Sequence, residues 1–305
     1  MGELLAALGD YTLRTVALGA AVLGLLGGAL GTFAVLRRQS LLSDALSHAT
    51  LPGVVLGFLV TSTTSGSGLM VGAAVTAALA AGLVLVVVQR TRLKQDAVLA
   101  LVLSVFFGVG TVLLTYVAAT GASGQSGLDR FVLGQAASLV TADVQVMAVL
   151  TAVALAIVAL LYKELKLVAF DPAFARAVGY PVRRLEALLT ALLVVAIVVG
   201  IQTVGVVLIA ALLITPAAAA RQWTDRLAVM VVLAALLGAV SGAVGALLSA
   251  TTTDLPTGPL IVLVATGIFL VSLPARALRT RLGARREVSA RREVSARRAK
   301  GVGVR

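Results

Sequence analysis

The chain contains one histidine, His48, and it sits four residues after Asp44 in the segment Ser40-Leu41-Leu42-Ser43-Asp44-Ala45-Leu46-Ser47-His48-Ala49. On a helix that spacing puts both side chains on one face. An imidazole and a carboxylate so placed form half of a site suited to Mn, Zn or Fe(II). There are no cysteines, so a bound metal must use imidazole, carboxylate or backbone oxygen, and redox arguments leave the compartment undecided. Pro52 adds a bend, because its ring clashes with the carbonyl four residues back, which belongs to His48. That oxygen is expected to lack its helical partner, an arrangement by which many transporters build ion sites. Gly53 and Gly57 are expected to leave room beside the bend. Taken alone, the pair also admits a structural hydrogen bond or a step of a proton relay. Two donors do not complete a site; a symmetric dimer would supply four by placing the segment at its two-fold axis.

The elements that must position this pair are helices crossing a bilayer. The apolar fraction is 60%, charged residues make up 12%, and the mean hydropathy is +1.07. A soluble domain carries about a quarter charged residues, so this chain cannot cover a water-facing surface in the ordinary way. Each span needs about 20 mostly apolar residues. Nine such runs are present: 14–36, 41–61, 69–89, 96–119, 143–162, 184–200, 203–220, 227–250 and 258–273. The stretch 187–220 is too long for one crossing, and the polar pair Gln202-Thr203 is the expected surface turn that divides it. Arg38 to His48 is ten residues, about 15 Å if helical, which sets His48 near mid-membrane.

Charge orients the spans. Of the 25 basic residues only Arg14 and Arg130 fall on one side; Arg37, Arg38, Arg90, Arg92, Lys94, the 163–184 segment, Arg221, Arg226 and the tail fall on the other. The basic face is cytoplasmic by the positive-inside rule, so the N-terminus is outside and the C-terminus inside. The net charge of +12 is thereby explained without nucleic acid. The start Met1-Gly2-Glu3 has no basic region, and no cleaved signal peptide is expected. The chain divides into a permease domain at 1–275 and a basic cytoplasmic tail at 276–305, where Ala-Arg-Arg-Glu-Val-Ser occurs at 284–289 and again at 290–295. That tail reads as solvated low-complexity sequence, able to rest on anionic lipid headgroups. Gly24/Gly28, Gly27/Gly31 and Gly238/Gly242 are spaced for close helix packing.

An energy source must come from elsewhere. None of the four lysines lies in a phosphate-cradling loop, and no span carries a ladder of acidic residues. Asp44 and His48 lack an accompanying nucleophile or acid–base set, so the chain is not read as an enzyme. The longest interior loop offers a docking surface: Asp171 is a fair N-cap, Pro172 suits the first helical position, and Gly179 suits the stop. The short helix so bounded, 171–179, carries Phe174 and Val178 at i,i+4 with nothing intrachain to cover them, which favours a partner over a mere linker.

Several ordered motifs then resemble one family. Leu36-Arg37-Arg38, Asp44-Ala45-Leu46-Ser47-His48-Ala49 and Leu51-Pro52-Gly53 closely resemble the signature of the manganese/zinc/iron permeases of ABC importers. Tyr162-Lys163-Glu164-Leu165 with Phe170-Asp171-Pro172 and Phe174-Ala175 is similar to that family's ATPase-coupling loop, and Leu213-Ile214-Thr215-Pro216-Ala217 to its penultimate cytoplasmic helix end. The resemblance runs from about Arg14 to Leu273 and leaves out the basic tail. It implies an all-α fold like that of the vitamin B12-type importer permeases, in a prokaryotic plasma membrane. It further implies a homodimer, a cytoplasmic ATP-binding subunit and an extracellular metal-binding protein. Asp44 and His48 would line the metal path, and Asp171, Pro172, Phe174 and Gly179 would belong to the coupling helix. No cofactor is expected to reside permanently, the divalent ion being cargo. Vitamin B12 and siderophore permeases are the poorer match, having no reason to place an Asp–His pair on the pathway. The competing expectation is a self-sufficient secondary metal transporter driven by protons through Asp44.

Overall fold

The computed structural model describes residues 11–61, 66–119, 134, 139–251 and 256–274, and the statements that follow concern these. They form twelve helices. α1 (Tyr11–Leu36) is followed by α2 (Ser40–Ala49), α3 (Leu51–Thr61), α4 (Gly66–Arg90) and α5 (Gln95–Ala119). Then come α6 (Thr141–Leu160), α7 (Tyr162–Phe170), α8 (Pro172–Ala177), α9 (Val182–Val204), α10 (Val206–Trp223) and α11 (Leu227–Thr251). The last is α12, Thr257–Pro274. In hydrocarbon every backbone N–H and C=O must bond within its own segment, which is why a chain this apolar folds as helices throughout. The basic tail with its repeat lies outside the described residues.

Eight helical segments are long and apolar enough to cross a membrane, with α2 and α3 counting together as Ser40–Thr61. The ninth expected span, 203–220, corresponds to α10, whose apolar part Leu208–Trp223 is shorter. Burial separates centre from rim. The apolar windows of α1 and of α2–α3 are 72% and 67% buried within the protein, against 22% for both α5 and α6. α1 is the central post, packed on α6, α9, α10 and α11.

The closest of these contacts, α1 on α11, depends on small residues. A Cβ on Gly24 would strike the carbonyl of Gly238, one on Gly28 that of Ala234, and one on Gly242 that of Ala20. The two stripes run antiparallel, backbone against backbone, as the glycine spacing implied. Gly53 and Gly57 behave otherwise than expected. No room is left beside the bend, because the backbone of α4 at Gly72 and Gly68 fills it.

Three breaks shape the rest. The turn after α1 is made at Arg38, whose φ of 56° is the one positive value at a non-glycine residue among those described. Its backbone closes the helix through Arg38 N–H to Val35 O (3.1 Å) and Gln39 N–H to Ala34 O (2.8 Å). That left-handed cap ordinarily takes glycine, and an arginine there costs about 1 kcal/mol or more. α2 and α3 part at Thr50, whose hydroxyl donates to Ser47 O at 2.5 Å. The His48 carbonyl loses its partner at Pro52, as expected, yet it is not bare, since the Thr50 N–H turns toward it.

The break between α9 and α10 corrects the sequence reading. α9 runs through Gln202-Thr203 to Val204, and the turn is made by Gly205 at φ 91°. Nor is it a surface turn: Thr203 and Val204 are fully buried, and Gly134 lies against the Val204 backbone. A polar pair is a poor marker of a turn when a glycine two residues on can supply the positive φ that the chain needs.

Candidate metal site and candidate docking helix

α2 buries Leu42, Ala45, Leu46 and Ala49 and packs most extensively on α5, and also on α10, α4 and α9. Asp44 and His48 stand on the flank facing α5, where the imidazole edge meets Phe107 at a centroid distance of 4.9 Å and 78°. His48 Nε2 lies 3.5 Å from Asp44 Oδ1, with side chains 17% and 38% exposed. That separation is too long for a good hydrogen bond. It fits two ligands of one ion: donors each about 2.1 Å from a metal, at tetrahedral or octahedral angles, stand about 3.0–3.4 Å apart. His48 Nδ1 is buried without a hydrogen-bond partner, so Nε2 is the nitrogen turned to the carboxylate. Among the described residues no group of three or more His, Asp or Glu gathers anywhere, so the pair stands as two side-chain donors.

The second predicted site is also assembled. Asp171 Oδ1 accepts from Phe174 N–H at 2.9 Å, Pro172 opens α8, and α8 ends after Ala177. Gly179 at φ 93° completes the stop, with Gly179 N–H to Arg176 O and Tyr180 N–H to Ala175 O both at 3.0 Å. The four residues Asp171, Pro172, Phe174 and Gly179 thus belong to one short helix and its two caps. Ala175 is buried beneath it, while Phe170, Phe174 and Val178 are each more than half exposed. The helical segment before it, α7, was not foreseen. It is anchored by buried Leu165 and Val168, an i,i+3 pair that the sequence contained but that was too short to distinguish from loop.

Two features near the end of α1 and the starts of α5 and α9 had no sequence signal. Arg37 pairs with Glu186 at 2.5 Å across 149 residues, and Gln39 Nε2 donates to Gln95 Oε1 at 3.1 Å. Both pairs border a cavity of about 130 Å³. Phe107 could not be chosen in advance from an apolar run that also holds Phe106.

The profile of the ABC 3 transport family matches residues 9–276. The chain is 47% identical over 291 residues to the zinc transport system membrane protein TroC of Treponema pallidum, covering 94% of this chain and 98% of TroC. It is also 47% identical over 266 residues to the manganese transport system membrane protein MntC of Bacillus subtilis, covering 86% of this chain and 61% of MntC. Among solved structures, PsaBC from Streptococcus pneumoniae in complex with Fab superposes with a TM-score of 0.78 at 31% identity, covering 90% of this chain and 97% of that one.

Proposed function

The chain belongs to the ABC 3 transport family, and from that premise we propose that it is the membrane-spanning subunit of an ATP-driven importer of manganese or zinc. It is a multi-pass permease of a prokaryotic plasma membrane, and relatives named for zinc and for manganese transport bracket its cargo. The observation that carries the reading at the level of residues is the 3.5 Å separation of His48 Nε2 and Asp44 Oδ1. It supports a passing divalent ion held between them, with a second copy of the chain bringing two more donors from the flank beside Phe107. The ion is cargo, and no resident cofactor is called for.

The partners follow from the surfaces. The exposed Phe170, Phe174 and Val178 around α8 suit a cytoplasmic ATP-binding subunit, which performs the hydrolysis that this chain has no loop to perform. An extracellular metal-binding protein delivers the ion, and membrane lipid surrounds the apolar rim. Proton-driven secondary transport, the competing expectation, finds no support in a family of ATP-coupled permeases.

The test is uptake of radioactive manganese and zinc into vesicles holding the assembled complex. Uptake should require ATP and stop when the ATP-binding subunit is left out. His48→Ala should lower it by about tenfold or more, since even changes outside the ligand shell cost about 10–100-fold in metal affinity. Undiminished uptake by His48→Ala would remove the metal from this pair.

A further inference from the structure

The geometry points to the Arg37–Glu186 ion pair as the contact that transmits movement of the docking helix to the metal-carrying helix. Glu186 lies on the second turn of α9, and α9 begins at Val182, directly after the α8 stop at Gly179. Arg37 lies at the corner joining α1 to α2, two residues before Gln39 and seven before Asp44. The pair is therefore an ionic link between the helix that follows the docking surface and the corner that leads into the helix carrying the ligands. It is largely sheltered, with side chains 12% and 28% exposed, so little solvent competes for either charge.

Its surroundings permit two arrangements. The pair borders the cavity of about 130 Å³ between α2, α4, the start of α5 and α9, where Gln89 and Thr190 offer further polar groups. A well-packed pair would be fixed, because packed interiors do not deform continuously; one beside a polar cavity can separate and re-form. Gln39 is bonded on the other side to Gln95 at the start of α5, the helix whose Phe107 meets His48. The corner is thus tied both to α9 and to α5, the second of which meets His48. Arg38 holds it in a left-handed conformation rare for its residue type, a kind of strain that clusters at switching positions. Arg37 and Glu186 are positioning residues here, and neither touches the ion.

This inference rests on the reading of α8 as the ATPase-docking helix, so the experiment separates the two. The full complex in vesicles is compared as wild type, Glu186→Gln, the exchange Arg37→Glu with Glu186→Arg, and Phe174→Ala. Copurification of the ATP-binding subunit, ATP hydrolysis and manganese uptake are all measured. Glu186→Gln should copurify normally and hydrolyse ATP, while manganese moved per ATP falls by about fivefold or more, the low end of coupling between two sites. The charge exchange should recover a large part of that ratio. If uptake and hydrolysis fall in proportion, or if the ratio is unchanged, the pair only holds the fold together and the inference is overturned. Should Glu186→Gln not accumulate, Glu186→Asp, with the charge kept and the reach shortened, must show the same fall in ratio, and a normal ratio there overturns the inference equally. Normal copurification and uptake by Phe174→Ala would instead overturn the docking reading.

Discussion

A carboxylate within a spanning helix is costly to insert, up to about 3 kcal/mol at the centre, and Asp44, on the second turn of the Ser40–Thr61 span, lacks the short hydrogen bond that would offset its share. On the proposed reading its charge is used when a cation is present to share it. Asp44→Asn keeps the shape and removes the charge that offsets dehydration of a dication. Insertion should be unharmed, and uptake of manganese and zinc should fall to background at matched expression. Asp44→Glu should retain part of the rate, since the carboxylate survives at the wrong reach. Equal uptake by Asp44→Asn and wild type would make the pair structural. Much of this was legible beforehand, because a lone histidine and a lone mid-span acid at i,i+4 stand out in an apolar chain. What the spacing did not contain was the 3.5 Å separation or the ring of Phe107, which depend on how α5 packs against α2.

Helix caps are local chemistry, and this is why α8 was legible almost to the residue. Asp171 bonds the third residue of the helix and Gly179 supplies the left-handed stop, and neither needs a distant neighbour. The break expected at Gln202-Thr203 falls instead at Gly205, where the glycine's positive φ and the contact of Gly134 with the Val204 backbone fix it, and neither follows from polarity. For the docking helix the expectation is direct. Phe174→Ala removes one aromatic side chain, 53% exposed, so a partner that covers it gains about half of the roughly 1.5–3 kcal/mol that full burial brings. The ATP-binding subunit should copurify more weakly and uptake should drop, with membrane yield of the permease unchanged. Retention of the subunit at wild-type strength through a salt wash would leave the exposed face without its assigned partner.

Across the whole molecule, side-chain contacts test the sidedness that the basic residues implied. Arg37 at the end of α1 meets Glu186 near the start of α9, and Gln39 meets Gln95 at the start of α5, so these ends share one face. On the far face the hydroxyls of Tyr11 and Thr141 meet, at the starts of α1 and α6. Trp223 Nε1 donates to Ser272 Oγ at 2.9 Å, which puts the ends of α10 and α12 together. The crossing most in need of proof is α10. Its 18 residues rise about 27 Å, slightly less than the roughly 30 Å hydrocarbon core. It can still cross, because the break at Gly205 is sheltered by protein instead of reaching the surface, with Thr203 and Val204 buried. Backbone that is not helical is tolerated at such depth only when protein covers it. Cysteine labelling decides the matter cleanly, since the chain has no cysteine of its own. Exposed Ala142, Arg92 and Arg226 report the outer face, the α4–α5 turn and the α10–α11 turn. In intact cells an impermeant maleimide should label Ala142→Cys and leave Arg92→Cys and Arg226→Cys untouched until the membrane is permeabilised. Labelling of Arg226→Cys in intact cells, with Arg92→Cys still silent, would mean that α10 turns back on the outer side. α10 would then end on the face opposite the docking helix.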